Sequence, residues 1–260
     1  MKWSAITRCV AGRRHQQEGM PCQDDGGHRI LDSILMGAIA DGAGSAAYAE
    51  VGAQLATTTL LNYLEASEQW LEKKQLSWDT LPDHRLDAVA HEFFTKAVKH
   101  LLTVLQEKAE ASHTDIREFA CTLIAFIATP RAVIAMQIGD GFIVVRRPNQ
   151  IYQMLLLPDK GEYANQTSFV TSPDVFDTLK THVSLGQPSF ICAATDGLES
   201  VAIRQSDGSA FPPFFKPLEE FMEETDDPEH NDAYLVDFLT SERLSQRSDD
   251  DKTVLLARYA

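Results

Sequence analysis

The sequence predicts an α+β fold in which helices pack on a largely antiparallel sheet or sandwich. Three observations carry that prediction. Residues 120–128 (ACTLIAFIA), 131–138 (RAVIAMQI) and 141–147 (GFIVVRR) are apolar and β-branched, with only Thr129-Pro130 and Gly139-Asp140-Gly141 between them. Gaps that short close antiparallel hairpins and leave no room for βαβ crossovers. Two helical segments precede this block, and a further apolar strand at 253–259 (TVLLARY) closes the chain.

The elements follow in order. Residues 3–11 and 34–40 (ILMGAIA) read as strands, and the second is apolar throughout, which predicts burial. From Ser45 to about Ser67 the chain is rich in Ala and Leu and free of Pro, which predicts a helix with Ser45 as its cap. Residues 68–83, with Lys73, Lys74 and Pro82, read as a connection. Leu86, Val89, Phe93, Ala97, Leu101 and Leu105 then recur at helical spacing, giving a long amphipathic helix to about Ala111. Further strands are expected at 150–157, 180–185 and 189–195 (SFICAAT). Residues 197–240 look mixed, with a helix around 231–243. No repeat or linker-like stretch appears, so a single domain over 1–260 is expected.

Composition excludes several function classes. With 44% hydrophobic and 23% charged residues, the 260-residue chain is neither collagen-like nor wholly disordered. Its 38 Asp+Glu against 23 Lys+Arg give −15, so nucleic acid and anionic membranes are not expected partners. Excess carboxylate does suit divalent cations. Cys9, Cys22, Cys121 and Cys192 lie far apart without a C-x-x-C pair, and read as mostly buried free thiols. The first residues lack the apolar core of a secretory signal, and no run of about 18 apolar residues occurs. A cytoplasmic location is therefore the expectation.

Several carboxylates share one local pattern. Asp41 follows the strand 34–40 and precedes Gly42 (IADGAGS). Asp140 sits between glycines after 131–138 (IGDGF), and Asp196 follows 189–195 and precedes Gly197 (AATDGLES). Asp250 precedes the last strand, and Asp24 in PCQDDG ends the N-terminal segment as a possible fifth member. Strands lying side by side would gather these groups at one rim. Carboxylates so gathered repel unless a cation or shared protons compensate, which points to Mg²⁺ or Mn²⁺. Taken singly, each Asp-Gly also fits a plain turn, and Asp249–Asp251 fits a solvated acidic run. The residues alone leave both readings open.

Rival motifs are weaker. Gly42-x-Gly44-x-x-Ala47, with Glu65 downstream, matches a loose dinucleotide fingerprint, as an oxidoreductase would need. Asp41 would then point charge at a pyrophosphate, and hairpins replace the βαβ rhythm. There is no Walker A, H-E-x-x-H or G-x-S-x-G motif; His91-Glu92 lacks a second His and reads as solvated or half-buried.

PCQDD, ADGAGSA, IGDGF, AATDGLES and DDKTVLL, in that order, resemble the signature segments of metal-dependent protein phosphatases, the PPM or type 2C family, in its bacterial branch. The resemblance spans nearly the whole chain. It implies a central β-sandwich of two mainly antiparallel sheets flanked by α-helices. It also implies a serine/threonine phosphoprotein phosphatase that hydrolyses phosphomonoesters by attack of a hydroxide bridging two Mg²⁺ or Mn²⁺ ions. Position by position, Asp41 matches the aspartate bridging both metals, and the Gly42 carbonyl a ligand of the second. Asp196 and Asp250 match the other carboxylates of the first, and Asp24 the aspartate that holds metal-bound water. Asp140 and Asp196 match positions that hold a weaker third metal in many members. The implied partners are a phosphorylated protein and a cognate Ser/Thr kinase.

The chain departs from that pattern at three places. Gly19 stands where an arginine usually grips phosphate, Gln23 replaces an acidic residue, and Ser200 replaces an aspartate that supports the third metal. His15, backed by Arg13 and Arg14, is the candidate replacement for the phosphate grip; a solvated loop is the plain alternative. Gly19 and Gln23 also raise an alternative function, a catalytically impaired pseudophosphatase that binds phosphoproteins as a regulator. Substrate specificity is expected in loops 158–180 or 203–230.

Overall fold

The period-2 burial of the apolar strands dictates the layering. Along β4 (Leu123–Thr129), Leu123, Ala125 and Ile127 join one core, while Ile124, Phe126 and Ala128 join another. In β9 (Phe190–Ala194), Ile191 and Ala193 share the second core with Phe126, while Phe190, Cys192 and Ala194 enter a third. Strands buried on both faces must lie between two covering layers, which is why they lack polar alternation. The result is a sandwich of two sheets with helices outside each.

The computed structural model describes residues 1–73, 75–158, 167–225, 227 and 232–260. In chain order its longer elements begin with β1 (Trp3–Val10), α1 (Arg13–Glu18), β2 (Asp24–Leu31) and β3 (Ile34–Asp41). Helices α2 (Ala49–Glu72) and α3 (Asp83–Ala111) follow. Next come β4, β5 (Ala132–Ile138), β6 (Phe142–Arg146), β7 (Gln153–Leu156), α4 (Val175–Thr178), β8 (Lys180–Leu185) and β9. The chain closes with α5 (Glu199–Ala202), α6 (Pro212–Glu224), α7 (Ala233–Thr240), α8 (Glu242–Ser245) and β10 (Lys252–Tyr259). One sheet has the order β1-β10-β9-β6-β7 and the other β2-β3-β4-β5-β8, and every pairing is antiparallel. Leu35, Ile39, Phe126, Ile143, Ile191 and Leu255 fill the space between the sheets. Helices α2 and α3 cover the second sheet through Leu60, Leu64, Phe94 and Leu101. Helices α6, α7 and α8 cover the first through Phe215, Leu218, Leu235 and Leu244. Burying each such side chain contributes roughly 1.5–3 kcal/mol.

The sandwich and its flanking helices match the expected fold class. Several local expectations are corrected. Ser45 does not cap α2, which starts at Ala49 behind Tyr48 without a side-chain cap, and the helix runs on to Glu72. The region 197–240 holds α5 and α6, and the helix expected over 231–243 is split at Ser241 into α7 and α8. Strand β2 was not expected. His91 and Glu92 are exposed on α3, as expected. Among the described residues the sheets are antiparallel and contain no βαβ unit for a dinucleotide, so that reading is dropped. All four cysteines are free, with Cys121 and Cys192 buried. Among the described residues, no helix is long and apolar enough to cross a membrane. Of the expected specificity loops, residues 159–166, 226 and 228–230 lie outside the described residues, as does residue 231 of the expected helix.

Candidate metal centre

One end of the sandwich collects strand termini from both sheets. Asp24 opens β2 directly opposite Asp41, which closes β3. In the other sheet Ala194 closes β9 beside Val254, near the start of β10. The sheets are stitched together here. Thr195 Oγ1 donates to Asp24 Oδ2 at 2.8 Å and accepts from the Thr253 amide at 3.0 Å. A cleft of about 220 Å³ opens at this rim, and Asp41, Asp140, Asp196, Asp250 and Gly42 line it together with Arg14 and His15. Four of the five aspartates singled out in the sequence thus meet at one cleft. The fifth, Asp24, is buried just beneath.

Glycine makes the close packing possible. A Cβ on Gly197 would lie 1.9 Å from the Asp251 carbonyl oxygen, and one on Gly12 would lie 2.2 Å from that of Asp249. The acidic segment 249–251 is therefore clamped between two glycine backbones. The Asp196-Gly197 pair is required by contact rather than by a left-handed turn, since Gly197 has no positive φ.

The electrostatics are those of carboxyls crowded out of water. Burial pushes Asp41 well above the ordinary carboxylate range, and the charges of Asp24, Asp196 and Asp250 push it further. Burial raises Asp24 to about 7, partly offset by the Thr195 hydroxyl, with Asp251 adding repulsion. Asp196 is raised to about 6 by burial first, then by Asp140 and Asp250. Burial also raises Asp140, whose Oδ2 accepts from Thr167 Oγ1 at 2.7 Å. Without a cation, such groups reduce their repulsion by sharing protons.

The donors suit a hard cation. Asp24 Oδ1 and Asp196 Oδ1 are buried with no hydrogen-bond partner. An orphaned buried carboxylate oxygen costs free energy that a divalent ion recovers. Among the described residues, no three His, Cys, Asp or Glu side chains form a ready-made cage. All-oxygen donors of this kind suit hard cations such as Mg²⁺, which complete their shells with water.

Sequence reasoning missed Asp251. Its side chain is buried, unlike its exposed neighbours Asp249 and Asp250. Asp251 Oδ1 accepts from the Gly12 amide at 2.7 Å, and Oδ2 from the Gln23 amide at 2.6 Å. His15 Nδ1 lies 2.8 and 2.9 Å from the two oxygens. His15 is thus no solvated loop residue: it is buried on α1, held by Asp251 through Nδ1, and lines the cleft. Gly19 is the left-handed C-cap of α1, at φ 68°, a conformation that an arginine would adopt only with strain. Gln23 also serves the rim, its carbonyl accepting from the Gly42 amide at 3.2 Å. Ser200 is exposed, with its hydroxyl 3.4 Å from the Arg247 carbonyl.

Comparison with known proteins decides the family. Residues 11–240 match the protein phosphatase 2C family. The chain belongs to that family. Serine/threonine-protein phosphatase 3 of Escherichia coli (strain K12) is 32% identical over 267 residues, covering all of both proteins. The serine/threonine phosphatase Stp1 from Staphylococcus aureus shares the fold with a TM-score of 0.63 at 14% identity, over 100% of this chain and 96% of that one. A bacterial serine phosphatase aligns with a TM-score of 0.62 at 14% identity, over 99% of this chain and 98% of that one. As a protein phosphatase 2C, the chain is a phosphoprotein phosphatase, a phosphoric monoester hydrolase of a family that generally depends on divalent metals. Nothing in these relatives favours the pseudophosphatase alternative.

Proposed function

We propose that this phosphatase removes phosphate from phosphoserine and phosphothreonine in proteins, using two Mg²⁺ or Mn²⁺ ions held by Asp24, Asp41, Asp196, Asp250 and the Gly42 carbonyl. Asp41 would be shared by both ions, Asp24 would act through water, and Asp140 with Asp196 would offer a weaker third site. The observation that carries this reading is the position of Asp41, crowded by three other carboxylates at one cleft. When bound, the ions would supply positive charge for the phosphoryl oxygens and the acidity that makes water a nucleophile near neutral pH.

The chain's own side chains would do the rest. His15 and Arg14 at the cleft would bind and orient the phosphate, taking the place of the arginine missing at Gly19. Asp251 would fix the ring of His15, and Thr195 would fix the carboxylate of Asp24. We read the chain as one domain acting in a reducing cytoplasm, where its four free thiols persist, on proteins phosphorylated by a cognate Ser/Thr kinase. Hydrolysis of p-nitrophenyl phosphate with Mn²⁺ present tests the reading. Asp41→Asn should lower turnover about a hundredfold or more. Turnover retained by that variant would refute it.

A further inference from the structure

A second, larger cleft of about 640 Å³ adjoins the acidic rim and shares Asp196 with it. Its volume is in the range of ligand sites. Its walls include Glu199, Ser200, Arg204, Arg247 and Leu157. Two arginines in one cleft run against the overall charge of −15.

Local structure sets the Arg204 side chain and the Arg247 backbone. Residues 203–210 form a tight loop: Ile203 bridges Ala210, the Arg204 amide donates to the Ser209 carbonyl at 2.9 Å, and Gly208 turns at φ 68°. Arg204 Nη1 donates to Ser209 Oγ at 3.1 Å and to the Ala210 carbonyl at 3.2 Å, and its guanidinium lies 5.5 Å from the centre of the Phe211 ring. Those contacts engage Nη1 and one planar face. Arg247 follows α8, and its amide donates to the Leu244 carbonyl at 2.9 Å. The next residue, Ser248, lines the cleft and accepts the Asp250 amide at 3.3 Å, so this wall continues into the acidic rim.

We propose that this cleft is a substrate subsite that takes an anionic side chain, a carboxylate or a second phosphate, flanking the phosphoresidue, with Arg204 and Arg247 as its specificity-determining residues. The proposal rests on the phosphatase reading, because the rim must hold the scissile phosphate. An extended peptide advances about 3.3–3.6 Å per residue, so a flanking residue two or three positions away reaches a cleft that begins at Asp196. Glu199 at the same wall favours cations, so the arginines must outweigh it. A guanidinium fork binds carboxylate and phosphate in the same planar manner.

The test uses the full chain with Mn²⁺ and phosphoserine peptides that carry Glu, phosphoserine or Ala on either side. Wild type should prefer the anionic peptides by about fivefold in kcat/KM per arginine engaged, less at high salt. Preference for only the Glu or only the phosphoserine peptides would identify the anion. Arg247→Ala should bring the preference toward one, and Arg247→Glu should invert it toward the Ala peptides. Wild type with no anionic preference, or Arg247→Glu with the wild-type preference, would overturn the subsite. Wild type inactive on every peptide and on p-nitrophenyl phosphate would instead overturn the phosphatase reading itself.

Discussion

Asp24 and Asp41 face each other across the β2–β3 ladder, one at the first position of its strand and the other at the last. Like charges directly opposed in an antiparallel pair destabilise it. Here Asp24 is buried and Asp41 half-buried, and Asp196 and Asp250 add to the repulsion on Asp41. The fold therefore concentrates unfavourable charge at one rim, as active sites do where a ligand later compensates.

Stability without metal should fall as pH rises. Asp24 and Asp196 go from an ordinary value of 3.8 to about 7 and about 6. A raised folded-state value favours the protonated form, so its contribution is complete below pH 3.8 and is lost as pH passes through 6 and 7. In chelator, Tm should decline between about pH 4.5 and 8, and Mn²⁺ should restore it at the upper end. A flat or rising Tm in chelator would contradict the charge crowding.

Asp251 should prove structural as well as orienting. Asp251→Ala leaves the Gly12 and Gln23 amides and His15 Nδ1 without their acceptor. The expected cost is about 2–4 kcal/mol in urea unfolding, with a smaller loss for Asp251→Asn. A loss under about 0.5 kcal/mol, usual for a surface position, would return the acidic run to solvent.

The same segment was the least legible part of the site. Asp41 and Asp196 could be found because each closes an apolar strand and precedes glycine. Asp251 looks like its exposed neighbours, and only the tertiary contacts with Gly12, Gln23 and His15 separate it from them. Strand β2 (DDGGHRIL) was hidden by two glycines with poor β-propensity; a Cβ on Gly26 would lie 2.9 Å from Thr7, so packing demands what propensity discourages. Helix α6 was hidden by its internal Pro217. The sandwich itself was legible because short hairpin gaps and doubly buried strands are both local signals.

Gly197→Ala and Gly44→Ala make a matched pair. The first places a methyl 1.9 Å from the Asp251 carbonyl, while the second meets nothing within 4 Å. Gly197→Ala should lower stability by about 3 kcal/mol or more, and Gly44→Ala should change it by less than about 1 kcal/mol. Thermal melts of both proteins decide this; equal Tm values would contradict the clamped segment.

His15→Ala should raise KM or lower kcat on phosphopeptides by about tenfold or more while sparing Mn²⁺ affinity, since it removes a charge-assisted contact to phosphate. His15→Gln, which can still donate a hydrogen bond, should recover part of the loss. Wild-type kinetics in His15→Ala would remove the residue from the phosphate grip.

The central claim is that carboxylates from separate strands share divalent cations at one rim. Mn²⁺ titration followed by electron paramagnetic resonance near pH 7.5 measures it directly. The wild-type chain should deplete the free Mn²⁺ signal with more than one equivalent bound, and Asp41→Asn should lose most of that binding. Equal Mn²⁺ binding by the two proteins would contradict the account.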